Sequence, residues 1–492
     1  MSNDSAPTPT PPSWGSLFRN WISFIGVILV AGALFSFILL FLLEAFSPMS
    51  NPYVGILTYL VTPMFIGLGV VLILVGAWLE RRRRKVSGST ASELQIDLSN
   101  PRARRNLALF LAGSAVFLLI SAVGSYNTYH FTESVQFCGQ ACHTVMQPEY
   151  VTYQHGSHAR VACTDCHIGR GATWYVRSKL SGMYQVYATA TKKYPTPILT
   201  PVHNLRPAQE TCEQCHWPKK FVGNLDRTFN YYLAEETNTY FAMRMLMRVG
   251  GADVEHGPVG GIHWHMNVGN KIEYVATNES RLKIPWVRMT DPQGQATEFR
   301  APGFTNDISQ YQIRTMDCMD CHNRPAHTYE SPNDAVNLAI SLGRIDAKLP
   351  WIKTNAVYLL TQTYTTEEEA LKRIDGFLSA RYPSSPSIRP AIDAVQKIYQ
   401  NNFFPKMKAS WKNYPNHIGH KDWPGCFRCH DDKHKSADGK KSIKGNECNI
   451  CHIILAQGSG KELEQLDANG QKFKHPGGEY DGLCSDCHSG GL

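Results

Sequence analysis

Fourteen cysteines occur in this 492-residue chain, and every one belongs to a close pair with histidine directly after the second. The pairs are Cys138/Cys142 with His143, Cys163/Cys166 with His167, Cys212/Cys215 with His216, Cys318/Cys321 with His322, Cys426/Cys429 with His430, Cys448/Cys451 with His452 and Cys484/Cys487 with His488. A disulfide framework needs no such spacing, and zinc sites need no histidine in that adjacent place. The repetition, with no cysteine left over, argues against both. Two thiols so placed can add to the vinyl groups of a haem while the next histidine reaches the iron from one face. The pattern therefore predicts seven covalently bound haem c groups. The first motif, CGQACH, carries three residues between its thiols where the others carry two.

Such a cofactor load changes what the core must be. The 366 residues from Asn127 onward supply about one haem per fifty residues, so the expected fold is mainly α and irregular, with short helices and loops wrapped on cofactors and little independent protein core. Cofactor binding energy is then part of folding energy, and the apo chain is expected to fold poorly.

Three segments are long and apolar enough to span a bilayer at 1.5 Å per residue: Trp21 to Leu43, Val54 to Leu79 with Pro63 as an expected kink, and Leu107 to Tyr126. They follow a Pro/Thr-rich tail that cannot bury enough surface to order itself. Arg81 to Lys85, joined by Arg102, Arg104 and Arg105, gives the stretch 80–106 a charge of +5, whereas the loop from Glu44 to Tyr53 has no Lys or Arg. The positive-inside rule places the Arg-rich loop and the N-terminus in the cytoplasm and the haem region on the opposite side, in the periplasm of a bacterial inner membrane. A basic run hard against a spanning segment reads as a topology signal rather than a nucleic-acid patch, so no nucleic-acid partner is expected. The first apolar segment exceeds the usual signal-peptide core and is read as an uncleaved anchor.

The expected organisation is a cytoplasmic tail (1–20), two transmembrane helices (21–79), the Arg-rich loop (80–106), a third transmembrane helix (107–126), a three-haem region (127–225), an insertion with β character (226–316), a fourth haem with a helical insertion (317–425) and a three-haem C-terminal region (426–492). Within the β insertion, Asn270–Thr277, Lys283–Thr290 and Thr297–Ala301 are alternating or β-branched. In the helical insertion, Thr366 and Glu369 suggest a capping box, and apolar residues recur at helical spacing from Pro386 to Gln400.

Twelve of the nineteen histidines lie outside the motifs. A low-spin electron-transfer haem needs two strong axial ligands, and His/His keeps its potential low. The preferred sixth ligands are His158, His203, His263, His265, His327, His434, His475 and one of the pair His417/His420. His158, His327 and His434 each sit beside one motif, placed to cap a neighbour. His263 and His265 would point the same way on a strand. His130, His155 and His256 rank below these.

With those residues laid out, Arg105 to Phe221 resembles the NapC/NirT family of membrane-anchored multihaem quinol dehydrogenases: a spanning helix, a first motif followed by Met, Glu-Tyr and Ser-His, then CTDCH and CEQCH. GIHWH, CHNRPAH and the Cys426 to His452 region extend the likeness to the larger seven-haem inner-membrane members of metal-reducing bacteria. The resemblance implies oxidation of membrane quinol, menaquinol or ubiquinol, and delivery of electrons to a periplasmic cytochrome or reductase. It puts Met146 at the first iron, although Met146 stands three residues after His143 where small members have two; either the insertions compensate or His143 ligates normally. It puts a quinol-binding lysine at Lys179, with Gln185 where the family carries an acid, and Arg177 is a further candidate for positioning quinol. Two other functions remain as alternatives. A terminal multihaem reductase would need an open iron position, visible as carbon monoxide binding. A non-catalytic subunit of a larger complex would not oxidise quinol when isolated. Homo- or hetero-oligomers are compatible with either.

Overall fold

The structure, a computed structural model, describes residues 17–18, 20–46, 61–87, 99–141, 143–169, 171–202, 205–250, 260–267, 269–476, 478, 480 and 482–488. It divides into two units, Met1–Thr132 with Ile168–Ser181, and Glu133–His167 with Gly182–Leu492.

In the first unit, α1 (Trp21–Phe46), α2 (Thr62–Ser87) and α3 (Pro101–Thr132) are each long and apolar enough to cross a membrane. α1 and α2 meet through small residues: a Cβ on Gly26 would lie 2.6 Å from the Gly69 carbonyl oxygen, and one on Gly76 would lie 2.5 Å from Ser23 Oγ. Ser23 is fully buried and its hydroxyl donates to the Ile73 carbonyl at 3.1 Å. Close backbone approach and an interhelical hydrogen bond are what hold helices together where lipid removes the hydrophobic drive. Outward residues such as Phe35, Leu119 and Ile120 are about two-thirds exposed, as lipid-facing side chains must be.

One detail differs from expectation. The Arg-rich run begins no loop, because α2 continues through Arg81–Lys85 to Ser87. Cations at a helix C-terminus offset its dipole, and Arg82 lies over the Trp78 ring at 5.6 Å. The residues that precede Pro63, 51–60, lie outside the described residues, and with them the expected kink. α3 starts at Pro101, with Asn100 Oδ1 accepting from Arg102 N at 2.9 Å. The tail up to residue 16 and the loop 88–98 lie outside the described residues.

The second unit has a larger protein core than its haem motifs lead one to expect. Helices Pro332–Ser341, Ile352–Thr361, Glu367–Arg381 and Ile388–Asn402 bury Val336, Ile340, Ile352, Leu359, Leu360, Ile374, Leu378, Ile392 and Val395 almost completely. This stretch between the fourth and fifth motifs contains no haem-binding cysteine, so its helices pack on one another. Thr366 caps its helix as expected, accepting from Glu369 N at 3.1 Å, while the Glu369 carboxylate reaches back to Thr365 N at 2.8 Å.

The β structure forms two antiparallel sheets. β1 (Leu225–Tyr232), β2 (Tyr240–Met247) and β8 (His452–Gly458) make one, and β6 (Ile313–Thr315), β3 (Lys271–Val275), β4 (Trp286–Thr290), β5 (Ala296–Arg300) and β7 (Lys435–Ser436) make the other, in those orders. β3, β4 and β5 fall in the three expected segments. β7 and β8 come from the C-terminal haem region, so the sheets are shared between distant parts of the chain rather than enclosed in an insertion.

Candidate haem sites and the quinol segment

Most motifs lie on a single helical turn, as at Cys163–His167, Cys318–Cys321 and Cys484–Cys487, or on 3-10 turns, as at Gly425–Arg428 and Cys448–Ile450. Residues three apart share a helix face, which brings both thiols to one side. The fourth motif is the most firmly held. Asp317 caps its turn, accepting from Met319 N, and Asp320 Oδ2 accepts from Asp317 N at 2.8 Å. The other Asp320 oxygen takes a hydrogen bond from the buried Tyr274 hydroxyl and pairs with Arg281 at 2.6 Å. Cys142 and the His143 side chain are outside what is described.

Consecutive motifs are neighbours. The Cys163 thiol is raised above its ordinary range first by its hydrogen bond to Cys138, and Cys212 first by its hydrogen bond to Cys318. Burial comes first in raising Cys166, Cys321, Cys448 and Cys451, and to it the next or preceding motif adds Cys215, Cys426, Cys484 and Cys426 respectively. Thiols of consecutive motifs thus lie near enough to influence one another, from the first motif to the last.

The histidines fall into facing pairs. A metal–imidazole bond is about 2 Å long, so two rings on opposite faces of one ion hold their centroids about 6 Å apart. His158 and His216 are at 6.0 Å, His167 and His327 at 6.3 Å, His263 and His322 at 6.4 Å, His265 and His430 at 5.8 Å, and His420 and His452 at 6.3 Å. In each, one ring belongs to a motif and the other does not. His420 also stands 6.3 Å from His488.

The second nitrogen of these rings supports the same reading, because a ligating histidine ordinarily gives its other N–H to a fixed acceptor. Nδ1 donates to a backbone carbonyl in His158 (Pro325, 2.8 Å), His327 (Glu149, 2.8 Å), His263 (Val249, 2.6 Å), His265 (Ile262, 2.9 Å), His430 (Lys444, 2.8 Å) and His488 (Lys421, 2.9 Å). Each therefore keeps Nε2 for a metal. Burial lowers His265, His322, His430 and His452, and burial with His452 and His488 nearby lowers His420 to about 4, favouring the neutral imidazole that can ligate. These residues fit haem iron held from both sides.

Other expected ligands are placed differently. His417 is 3% exposed, with Nε2 bonded to the Ser280 carbonyl at 3.1 Å and Nδ1 accepting from Arg428 at 3.1 Å. His434 is 2% exposed, with Nδ1 on Asp431 at 2.8 Å and Nε2 on the Ile284 carbonyl at 2.8 Å. In both, each ring nitrogen already has a protein partner, unlike the rings of the facing pairs. Of the pair His417/His420, only His420 faces motif histidines. His263 and His265 do not lie on a strand. They occupy a 3-10 turn, Ile262–Met266, and face different motifs. His475 is exposed beside Phe473 and Tyr480, with Nδ1 near the Pro476 carbonyl. His203 and His256 lie outside the described residues. Met146 is half-buried on helix His143–His155. The carbonyls of Glu149, Val249 and Pro325, which orient the rings of His327, His263 and His158, could not be read from sequence because any residue type supplies a carbonyl.

The proposed quinol segment is one helix, Ala172–Ala190. Lys179 Nζ lies 5.0 Å from the Tyr175 ring centroid and the Arg177 guanidinium 5.3 Å from that of Trp174. At 100° per residue, Lys179 and Arg177 project about 160° apart, so they do not share a face. Gln185 is exposed farther along.

Comparison with known proteins agrees. Residues 100–200 match the model of the NapC/NirT cytochrome c family, N-terminal region. The chain is 41% identical over 487 residues to the cytochrome c-type protein ImcH of Geobacter sulfurreducens, covering 95% of each chain. This chain belongs to the NapC/NirT cytochrome c family. A second NapC/NirT relative, the cytochrome c-type protein NrfH of Wolinella succinogenes, is 35% identical over 95 residues, 18% of this chain and 53% of its own. No solved structure matches. Membership of the NapC/NirT family implies covalently bound haem c and a role in electron transfer at a membrane.

Proposed function

We propose that this protein oxidises membrane quinol, menaquinol or ubiquinol, and passes the electrons along seven haems to a periplasmic cytochrome or reductase in anaerobic or extracellular respiration. The observation that carries the reading is the run of facing histidine pairs, 5.8 to 6.4 Å apart, that links one motif to the next. An order of this kind makes a wire with two ends. In sequence, the first end begins six residues after α3.

When bound, haem supplies the one-electron carriers that side chains lack. The chain would supply the ligands: the seven motif histidines would each hold an iron, with His158, His327, His263, His265 and His420 as second ligands. Met146 is retained as the candidate at the first iron, and His203 and His475 as further candidates. Quinol oxidation releases two electrons and two protons, so a polar group must hold the quinol hydroxyl as it loses them. Lys179 is assigned that contact. Arg177, on another face of the helix, is left with a membrane-surface role, and Gln185 stands where an acid would accept a proton. The Arg-rich end of α2 faces the cytoplasm and the haem motifs the periplasm.

The test is Lys179→Leu in the full-length protein. It should keep all its haems and their spectra, accept electrons from a soluble reductant, and lose quinol-driven reduction. Unchanged quinol turnover would leave Lys179 a lipid-headgroup residue and move the quinol site elsewhere.

A further inference from the structure

We propose that the turn Ile262–Met266 is a two-ligand clamp, in which His263 and His265 serve different irons, those of the fourth and fifth motifs, with their ring planes set parallel at one and perpendicular at the other. The inference rests on the haem reading above and goes beyond it by assigning an electronic difference to two neighbouring sites.

The divergence follows from the backbone. A 3-10 helix has about three residues per turn, so side chains two apart project about 120° from one another. A strand would send both to one side. His263 accordingly meets His322 with ring planes 9° apart, and His265 meets His430 at 80°.

Neither ring is free to relax from that arrangement. His263 donates to the Val249 carbonyl at 2.6 Å and packs on the Phe221 ring at 4.5 Å. His265 donates to the Ile262 carbonyl within the turn itself. Between them, Trp264 packs against the cluster of Ile272, Tyr274, Ile284 and Val287, as does Cys429 of the fifth motif. The turn is seated on the end of β2, where Ile262 N donates to the Arg248 carbonyl at 2.8 Å. Gly261 makes the seat possible. Its φ is +89°, and a Cβ there would lie 2.3 Å from the Arg248 carbonyl oxygen. Arg248 is in turn fixed by its N–H to the Cys451 carbonyl at 2.9 Å and by its guanidinium to the Asn449 carbonyl at 2.8 Å.

Ligand-plane angle is visible in the iron's own spectrum. Parallel imidazole planes split the iron d orbitals that carry the unpaired electron and give a rhombic low-spin signal. Perpendicular planes leave those orbitals nearly equal in energy and give a single, strongly anisotropic feature. Chemically identical His/His sites can therefore be told apart.

The experiment is electron paramagnetic resonance with spin quantitation on the oxidised full-length holoprotein in detergent, with intact mass for the haem count. His263→Ala should convert one spin equivalent of the rhombic set to high spin, and His265→Ala one of the strongly anisotropic set. Gly261→Ala should shift both signals together with the haem count unchanged. An alanine variant with a full haem count and an unaltered spectrum would overturn that ligand assignment. If both variants change the same signal, or Gly261→Ala moves only one, the clamp is overturned. A wild-type mass lacking haem at the fourth or fifth motif would instead sink the underlying haem reading, a separate failure.

Discussion

Replacing His417 by leucine should weaken the fold without touching an iron, and the size of the effect can be worked from its partners. His417 is 3% exposed and makes one bond to the Ser280 carbonyl and one from Arg428. Arg428 keeps other acceptors, the carbonyls of Gly425, Arg281 and Asp320, so leucine orphans chiefly the Ser280 oxygen. A lost hydrogen bond of about 1 kcal/mol and an unsatisfied buried carbonyl give about 2–3 kcal/mol, or a melting shift of roughly 5 °C. Acid should erase much of that difference. Burial first, then the Arg428 charge, lowers folded His417 to about 3, from 6.5 when unfolded. The unfolded chain binds the proton more readily, so the stability contributed by this residue is complete above pH 6.5 and falls as pH drops towards 3. At pH 5 the wild type should have lost about 2 kcal/mol of it. Thermal unfolding of the detergent-solubilised holoprotein at pH 8 and pH 5 measures both numbers. Loss of a low-spin haem signal in the variant, or a pH slope identical to wild type, would refute the reasoning and return His417 to the ligand list.

His420→Ala should do the opposite, removing one low-spin signal, with carbon monoxide binding to the reduced protein as the check. Intact mass should show seven haems, and a value for six would place the error at Cys138/Cys142, the motif with the lengthened spacing. A reporter fused within Gly88 to Ser99 should behave as cytoplasmic and one after Leu492 as periplasmic. Asp320→Ala should destabilise by about 3–5 kcal/mol, because it strands the buried Tyr274 hydroxyl and the Arg281 charge; a melting temperature within a degree of wild type would contradict that.

The family, the three long apolar helices and three β strands were legible because each rests on a local pattern: Cys-x-x-Cys-His, an uncharged run, alternation over five residues. The surroundings of the remaining histidines were legible only in part. His158 and His327 stand beside the motifs they were expected to leave in order to cap neighbours, and they do face rings of other motifs. His417 and His434 carry the same local signals, but each is sealed by carbonyls, Ser280 and Ile284, more than a hundred residues away. No local pattern encodes that. β1, β2 and β8 escaped notice for a related reason: FNYY and YFAMRMLM lack clean alternation, and β8 begins on a motif histidine. Their pairing is decided by tertiary contact.

That last pairing has a mechanical consequence. β2 and β8 join Ala242–Met247 to His452–Gly458, so the backbone between them, carrying the fourth and fifth motifs and the cysteines of the sixth, is a closed loop fastened by a clasp. Drawing the ends of some two hundred residues together costs about 5 kcal/mol of chain entropy, comparable with what a short ladder of hydrogen bonds returns. A protease cutting the exposed turn at Asp438 and Gly439 would therefore open the chain without releasing a fragment. The two pieces should travel as one under native conditions and separate only when the clasp is denatured.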